Sequence, residues 1–294
     1  MKARPENKVY GIITDKIVNL LEGGVIPWEQ KWDNQLPQNF VSKHQYTGFN
    51  FFYLYVMAIE KSYNAPYWLT FKQIQDAKGK LKPDQYKRGE IVIFYKMNTW
   101  VDKNELDEKG QPKVKAYPIL RFYTVYNIEQ TEGIDWKSSL RKNNPIEACE
   151  AIVKNYKDCP TITHAVGVPH YTLELDNITL PDLSIYEEPQ YYYKTLFHEL
   201  THSTGHEKRL GRFKPEDSVS FGSEDYSKEE LIAELGSAFL CADTGISNEQ
   251  TQGHSASYIK GWLKALKNDE RLIVEASGKA QKAVDYVKGV KTIK

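Results

Sequence analysis

The sequence predicts an α+β chain of two domains, with residues 1–135 in the first and residues 145–294 in the second. Its 294 residues, 40% of them hydrophobic, are enough for two medium-sized cores. The halves differ in chemistry, because 22 of the 37 aromatic residues lie in residues 1–135 and six of the seven histidines lie beyond them. The polar run from Trp136 to Pro145 is the expected boundary.

Residues 1–135 combine helical and strand-like patterns. Apolar residues recur at helical spacing in residues 9–24, 49–63 and 69–78. The first of these segments ends on Gly23 and Gly24, a helix-ending signal, and the second is apolar enough to be largely buried. β-branched and aromatic residues predict strands in residues 90–96 and 117–128.

The second half is predicted to be mainly helical. Helical spacing recurs in residues 143–156, 187–205, 227–245, 255–268 and 274–290. Short strands with turns are expected in residues 163–182. Ser227 followed by Glu230 matches an N-terminal capping box, and Gly245 is placed to end the same helix.

Charge and cysteine content limit the class of protein. The formal net charge is zero, so charge alone indicates neither a nucleic-acid nor a membrane partner. Three cysteines without a C-x-x-C pair indicate neither a disulfide framework nor a thiolate zinc site. The N-terminus lacks the apolar stretch of a signal peptide, and no apolar run is long enough to span a bilayer. We expect a cytoplasmic protein with no membrane partner.

The clearest chemical motif is H-E-L-T-H at residues 198–202. On a helix this spacing places His198 and His202 on one face, one turn apart, where both imidazoles can bind one zinc ion. Glu199 lies beside that face and is expected to be the catalytic general base, which takes a proton from water and passes it to the leaving amine. Because so short a motif also occurs by chance, its place in a predicted helix followed by an acidic helix is what supports the site.

The third ligand decides the subclass of the site. A metzincin needs a histidine at position 208, which is Lys208, so that pattern fails. His206 follows the helix end expected at Gly205, which favours a catalytic or substrate contact over ligation. Glu234 resembles the glutamate ligand on the second helix of gluzincins, and Ser237 matches the serine of their N-E-x-x-S-D motif.

That match is incomplete, because Ala233 and Ala238 replace the Asn and Asp of the gluzincin motif. Another carboxylate must then orient a ligating histidine. Glu230, one turn before Glu234, is the candidate for this supporting role, with helix capping as its alternative. Glu229 is expected to be an exposed charge.

Candidate donors to the substrate oxyanion come from several elements. They are His254, Tyr226, Tyr258 and Arg209. His206 and His254 are retained as candidate catalytic residues. His44, His164 and His170 lack partner spacing and are interpreted as structural.

Nearly the whole chain resembles the ArdC-type antirestriction proteins of conjugative plasmids and mobile elements. The N-terminal landmarks are G-G-V-I-P-W (23–28), Y-T-G-F-N (46–50), Y-W-L-T-F-K-Q (67–73), K-R-G-E (87–90) and V-Y-N-I-E-Q-T-E-G (125–133). The C-terminal landmarks are H-E-L-T-H-S-T-G-H-E-K-R-L-G-R (198–212), Y-S-K-E-E-L-I-A-E-L-G (226–236), Y-I-K-G-W-L (258–263) and A-Q-K-A-V-D-Y-V (280–287). The resemblance implies a single-stranded-DNA-binding domain followed by a zincin-like metallopeptidase domain. It also implies that His198, His202 and Glu234 are the metal ligands, that Glu199 is the catalytic glutamate, and that a protein substrate comes from host restriction systems.

Single-strand binding is physically compatible with an aromatic, slightly basic first half, since bases stack on aromatic rings and cations follow the phosphates. The expected DNA-binding residues are Trp28, Tyr46, Trp68, Lys72, Lys87 and Arg88. Trp32, Phe49 and Tyr67 offer further rings. The alternative for the aromatic residues is that they are packing anchors.

Two other functions remain open from the sequence. One is a DNA-coating protein with a structural zinc, which would protect DNA by occlusion. The other is a metal-dependent nuclease. Glu199 argues against the first, because a structural site needs no general base. The single-ion geometry of H-E-x-x-H argues against the second.

Overall fold

The computed structural model describes residues 5–29, 36–106, 110–137, 144–213, 224–246 and 256–290. The helices are α1 (Pro5–Glu22), α2 (Gly48–Glu60), α3 (Phe71–Asp76), α4 (Pro145–Asn155), α5 (Pro189–Ser203), α6 (Glu224–Thr244), α7 (Ala256–Asn268) and α8 (Leu272–Val287). The strands are β1 (Gln38–Asn39), β2 (Tyr67–Thr70), β3 (Lys80–Leu81), β4 (Glu90–Leu106), β5 (Pro112–Asn127), β6 (Thr131–Glu132), β7 (Thr161–His164), β8 (His170–Thr172) and β9 (Asn177–Leu180). The predicted α+β class is confirmed.

The described strands form three small sheets. The largest has the order β1-β2-β5-β4, and β3 pairs with β6 in a two-stranded sheet. In the second half β9 lies between β7, which runs parallel to it, and β8, which runs antiparallel to it. The sequence predicted the start of β4 and the end of β5, but β4 continues ten residues past its predicted end and β5 begins five residues before its predicted start, so the two strands form one long hairpin.

A buried carboxylate fastens the hairpin base to the helices. Glu90, at the start of β4, is 1% exposed and accepts hydrogen bonds from Lys16 of α1 at 2.7 Å and from the Tyr53 hydroxyl of α2 at 2.6 Å. Lys61 forms a second ion pair with it. Burial alone would raise the pKa of Glu90, but Lys16 and Lys61 lower it by a larger amount. The net pKa is below its usual value, so the carboxyl stays ionised.

The helices match the sequence pattern except at the start of α6. This helix begins at Glu224, one turn before Ser227, so the predicted capping box is wrong. Glu230 instead turns its side chain toward the histidines of α5. None of the described helices has both the length and the apolar content that a membrane span requires.

One hydrophobic core joins the two predicted domains. Trp28, after α1, packs edge-on against Trp262 of α7 with ring centroids 4.9 Å apart. Phe51 of α2 packs in the same way on Phe239 of α6 at 5.2 Å. The boundary near residue 140 remains a prediction, and the shared core means that each half covers apolar surface of the other.

Burial corrects the aromatic part of the predicted DNA contact. Trp28 and Trp68 are fully buried and Tyr46 is 7% exposed, so none of these rings can stack on a base. They are packing anchors, because large aromatic rings contribute most to the stability of the fold when they are removed from water. Phe49 and Tyr67 are buried as well, and Trp32 lies outside the described residues. Lys72, Lys87 and Arg88 are exposed, and their role in DNA binding stays a prediction.

Trp28→Ala is expected to lower the free energy of unfolding by about 3–5 kcal/mol, because the deleted ring leaves a cavity that its neighbours cannot fill. Trp28→Phe keeps an aromatic contact with Trp262, so it should lower the free energy of unfolding by clearly less than Trp28→Ala. Urea unfolding of the full chain measures both changes. Wild-type stability in the alanine variant would contradict the anchoring role.

Candidate metal centre

Helices α5 and α6 pack side by side and carry the site. They approach closely at Gly236, where an added Cβ would lie 2.5 Å from Cγ2 of Thr201. Thr201 is fully buried, and its hydroxyl donates to the Phe197 carbonyl within α5 at 2.8 Å. The absence of a side chain at position 236 therefore sets the distance between the two helices.

The two histidines of the motif lie as the helical spacing predicts. His198 and His202 are one turn apart on α5, with ring centroids 4.7 Å apart. Their Nε2 atoms face each other at 3.1 Å. Ligand atoms that lie about 2.1 Å from a tetrahedral zinc are roughly 3.4 Å from one another, so this spacing suits a shared ion.

Glu230 supplies the carboxylate nearest to both Nε2 atoms. One of its oxygens lies 3.6 Å from Nε2 of His198 and the other lies 3.4 Å from Nε2 of His202. Within the described part of the chain, His198, His202 and Glu230 are the group whose ligand atoms all lie within 4.8 Å of one another. These three residues fit a single divalent ion.

Glu234 does not lie where the sequence expectation requires. Its carboxylate contacts the other side of the His198 ring, at Nδ1, with a distance of 3.2 Å. A carboxylate on Nδ1 holds the ring orientation and leaves Nε2 available for a metal. The geometry thus exchanges the expected roles, with Glu230 facing the ion position and Glu234 supporting a histidine.

Glu229 supports the second histidine in the same way. Its carboxylate lies 3.4 Å from Nδ1 of His202, and Arg212 binds it through two nitrogens at 2.7 and 3.2 Å. The expectation of an exposed charge is wrong, because the Glu229 side chain is 15% exposed and faces α5. Sequence reasoning missed both Glu229 and Arg212, although Glu229, Glu230 and Glu234 fall within two turns of one helix.

The carboxylates favour positive charge between the two rings. Burial alone would lower the pKa of His202, but hydrogen bonds with Glu229 and Glu230 raise it to about 9. Burial likewise opposes protonation of His198, and Glu234 and Glu230 raise its pKa well above the usual range. A divalent cation bound by the two Nε2 atoms would replace the protons on those atoms and would offset the charge of Glu230.

Glu199 lies next to the ion position and is 6% exposed. Its charge contributes to the raised pKa values of His198 and of Tyr186. The residue is therefore close enough to the His198 imidazole to raise its pKa. This is the arrangement expected of a general base beside a metal site.

The other candidate donors to the substrate oxyanion differ in the residues that their side chains contact. The Tyr226 hydroxyl lies 3.0 Å from that of Tyr258, and burial and hydrogen bonds with Tyr258 and Glu230 raise its pKa above the usual range. Arg209 is not a donor to substrate, because its guanidinium is buried in a two-point ion pair with Asp176 at 2.8 and 2.9 Å. Of the candidate donors, Tyr226 is thus the one whose hydroxyl contacts Glu230 of the cluster.

Of the two further candidate histidines, His206 is described and is not part of the cluster. His206 is buried, and its Nδ1 accepts a hydrogen bond from the Lys208 amide at 3.1 Å. His254 lies outside the described residues. Helix α5 ends at Ser203, close to the predicted Gly205, where an added Cβ would meet the Phe213 ring at 2.5 Å.

Gly236→Ala is expected to lower the free energy of unfolding by about 1–3 kcal/mol, because overpacking separates two closely packed helices. It should also weaken zinc binding, since Glu230 moves away from the histidines. Adding Thr201→Ala in the same chain removes the contacted methyl group and should restore both properties. Urea unfolding and zinc calorimetry test this, and a single variant with unchanged properties would contradict it.

Both halves of the chain match known families. Residues 147–279 match a zincin-like metallopeptidase domain, and residues 7–126 match the N-terminal domain of anti-restriction factor ArdC. The chain is also similar to the metal-free crystal structure of the antirestriction ArdC protein from the R388 plasmid. The identity is 31% and the TM-score is 0.75, with 96% of this chain and 97% of that chain covered. The chain belongs to the ArdC family.

Other ArdC relatives extend the comparison. The Mn(II)-bound structure of the R388 protein gives 30% identity and a TM-score of 0.73, again covering 96% of this chain and 97% of that chain. DNA primase TraC of Escherichia coli is 32% identical over 96% of this chain, which spans 20% of the primase. Protein y4eC of Sinorhizobium fredii is 29% identical over 95% of this chain and 91% of its own length.

The family assignment agrees with the donor set described above. A zincin-like domain implies zinc, as the sequence predicted, and the two imidazoles and one carboxylate of this chain suit it. The R388 relative binds Mn(II). A site of nitrogen and oxygen donors accepts several divalent ions.

Proposed function

We propose that this ArdC-family chain is a zinc-dependent metallopeptidase of a mobile element that also binds single-stranded DNA. The observation that carries the enzymatic part is the cluster of His198, His202 and Glu230 with the buried carboxylate of Glu199 beside it. Three protein ligands leave one position of a tetrahedral ion open, which is typical of catalytic rather than structural zinc. A cytoplasmic location is part of the proposal.

Different residues of the site have different roles in the proposed peptide hydrolysis. A zinc ion in this site supplies a Lewis acid and lowers the pKa of water to about 7. Glu199 takes a proton from the attacking water as the new C–O bond forms, and it then delivers this proton to the leaving amine as the C–N bond breaks. Tyr226 stays protonated at neutral pH because its pKa is raised, and its O–H can donate to the substrate carbonyl oxygen.

Strand β8 offers a place for the substrate backbone. It is the antiparallel edge strand of the sheet β7-β9-β8, and α5 packs against β8 and β9. An extended peptide adds to such an edge through main-chain hydrogen bonds, while its side chains occupy alternate sides. Val166 and Val168, in the loop before β8, are 97% and 82% exposed and are available to contact apolar substrate side chains.

The comparisons support the setting of the proposal. One similar protein is an antirestriction protein of a plasmid, and another is named a DNA primase. Single-stranded DNA is the form in which a conjugating plasmid enters a recipient, so a chain bound to it would travel with it. Subunits of host restriction systems are the substrates that antirestriction would require.

The alternative is a DNA-coating protein whose zinc is structural and whose effect is occlusion. The buried Glu199 next to an incomplete ligand set argues against it, because a closed structural site uses four protein ligands and no base. A nuclease with two ions is disfavoured as well. Among the described residues the cluster offers donors for one ion.

A cleavage assay separates the enzyme from the coating protein. The zinc-loaded full chain is incubated with a peptide library and with restriction-system subunits, with and without single-stranded DNA, and products are identified by mass spectrometry. We expect new termini at defined sites with the wild type and none with Glu199→Gln. Intact substrates together with protection of DNA from a restriction enzyme would favour coating.

A further inference from the structure

The long hairpin of β4 and β5 leaves the sheet that anchors it. Strand β5 pairs with β2 only from Val125 to Asn127, whereas it pairs with β4 along nearly its whole length. Beyond this point the hairpin continues as a two-stranded ribbon. Both of its faces have exposed side chains from residue 94 onward.

The pairing register separates the two faces of the ribbon. In an antiparallel ladder, residues directly opposite share a face, and successive residues alternate between faces. Phe94 pairs with Arg121, Trp100 pairs with Lys115, and Lys96 and Tyr123 fall in the same alternation. We name these six residues the aromatic–basic face.

The rings of this face are available to a ligand. Tyr123, Phe94 and Trp100 are 39%, 44% and 49% exposed. Phe94 and Tyr123 form one aromatic pair, with centroids 5.8 Å apart, and Lys115 lies 5.8 Å from the centre of the Trp100 ring. Phe94 and Trp100 are six residues apart on one strand, which corresponds to about 20 Å.

The charge between the rings is positive. Lys96 and Arg121 are exposed, and neither forms an ion pair with another residue that the structure describes. Lys113 and Lys115 share one carboxylate, Glu105, at 2.9 and 2.5 Å. Hydrogen bonds from these lysines lower the pKa of Glu105 to about 2, so the carboxylate stays ionised and offsets one of their two positive charges.

The opposite face carries two exposed rings near the anchored end of the ribbon, Tyr95 and Phe122, which are 54% and 51% exposed, and it has a different character beyond them. Its distal part is formed by Met97, Thr99, Val101, Val114, Ala116 and Pro118. Met97, Val101 and Val114 are 57%, 52% and 62% exposed. This face offers neither aromatic rings nor cations there, and it supplies a matched control surface.

We propose that the aromatic–basic face is the surface on which single-stranded DNA lies. The inference rests on the proposed DNA-binding function and assigns it to a surface. Unpaired bases stack on exposed rings, and the cations between the rings follow the phosphates. The bases of a duplex are already stacked on each other, so this face discriminates in favour of the single strand. The assignment replaces the buried rings of Trp28, Tyr46 and Trp68.

The test measures binding of a fluorescent oligothymidylate to the zinc-loaded full chain by anisotropy. Phe94→Ala, Trp100→Ala and Tyr123→Ala in one chain are expected to weaken binding at least about 100-fold, since each lost base stack costs roughly tenfold. Met97→Ala, Val101→Ala and Val114→Ala in one chain should stay within about twofold of the wild type. Circular dichroism and zinc content confirm that both variants are folded.

A second, conservative variant keeps the test decisive if the aromatic triple variant unfolds. Lys96→Gln with Arg121→Gln should lower the slope of log affinity against log salt by roughly 1.4, because two phosphate contacts are lost. An unchanged slope, or equal losses in the aromatic and aliphatic triple variants, overturns the assignment. So does tighter binding of oligouridylate than of oligothymidylate. A wild type that binds no single strand overturns the proposed DNA function as well.

Discussion

Glu230→Gln is expected to lower the zinc affinity of the full chain by about 100-fold or more, because it replaces an anionic ligand with a neutral one. Glu230 is the carboxylate that faces the Nε2 atoms of both His198 and His202. Structural zinc sites gain about 10–16 kcal/mol from four ligands, so one ligand accounts for roughly two decades of affinity or more. Competition with a chromogenic chelator measures the change.

Glu234→Gln is the matched control, one turn further along α6. Its carboxylate contacts Nδ1 of His198, on the side of the ring away from the ion position. Loss of such a contact lowers the metal affinity by about 10-fold to 100-fold. The oxygen of the glutamine amide can still accept a hydrogen bond from the Nδ1–H group, which places the expected loss near the lower end of this range. A larger loss in Glu234→Gln than in Glu230→Gln would restore Glu234 as the ligand.

Glu199→Gln is expected to reduce peptide cleavage by about 10²-fold to 10⁴-fold while zinc content stays at the wild-type level. The change removes the general base and keeps the size of the side chain. Glu199 lies outside the ligand group, so the set of His198, His202 and Glu230 is preserved. Cleavage rates and zinc content are measured on the same preparation.

Loss of zinc from Glu199→Gln would mean that the residue holds the ion rather than activating water. A Glu199→Asp variant provides the second control, since it keeps the carboxylate but withdraws it by one methylene. It should retain more activity than the glutamine variant. Equal activity in the wild type, Glu199→Gln and Glu199→Asp would show that Glu199 takes no part in the reaction.

The sequence predicted the half of the metal site that lies on one helix. His198 and His202 are four residues apart, and helical geometry alone puts them on one face. The candidates for the third ligand lie on α6, where Glu230 and Glu234 share a face and differ only by one turn. Which of them faces the Nε2 atoms of the histidines depends on the position of α6 along α5. The close contact of Gly236 with Thr201 fixes that position, and no local pattern reveals it.

The aromatic residues show the same limit for the fold. Trp28 and Trp68 are fully buried, whereas Trp100 is 49% exposed, although all three lie in aromatic-rich stretches. Trp28 is buried because α7 brings Trp262 against it from the other half of the chain. Alternation along β4 could have indicated the exposed rings, but only the pairing with β5 shows that cations share their face.

The most direct test of the central claim is a zinc titration of the metal-depleted full chain, with cleavage of a restriction-system subunit followed by mass spectrometry. If the site of His198, His202, Glu230 and Glu199 is a catalytic zinc centre, cleavage rises in proportion to added zinc and levels off at about one ion per chain. A chain that binds one zinc tightly and cleaves neither the subunit nor any peptide of the library would contradict the account.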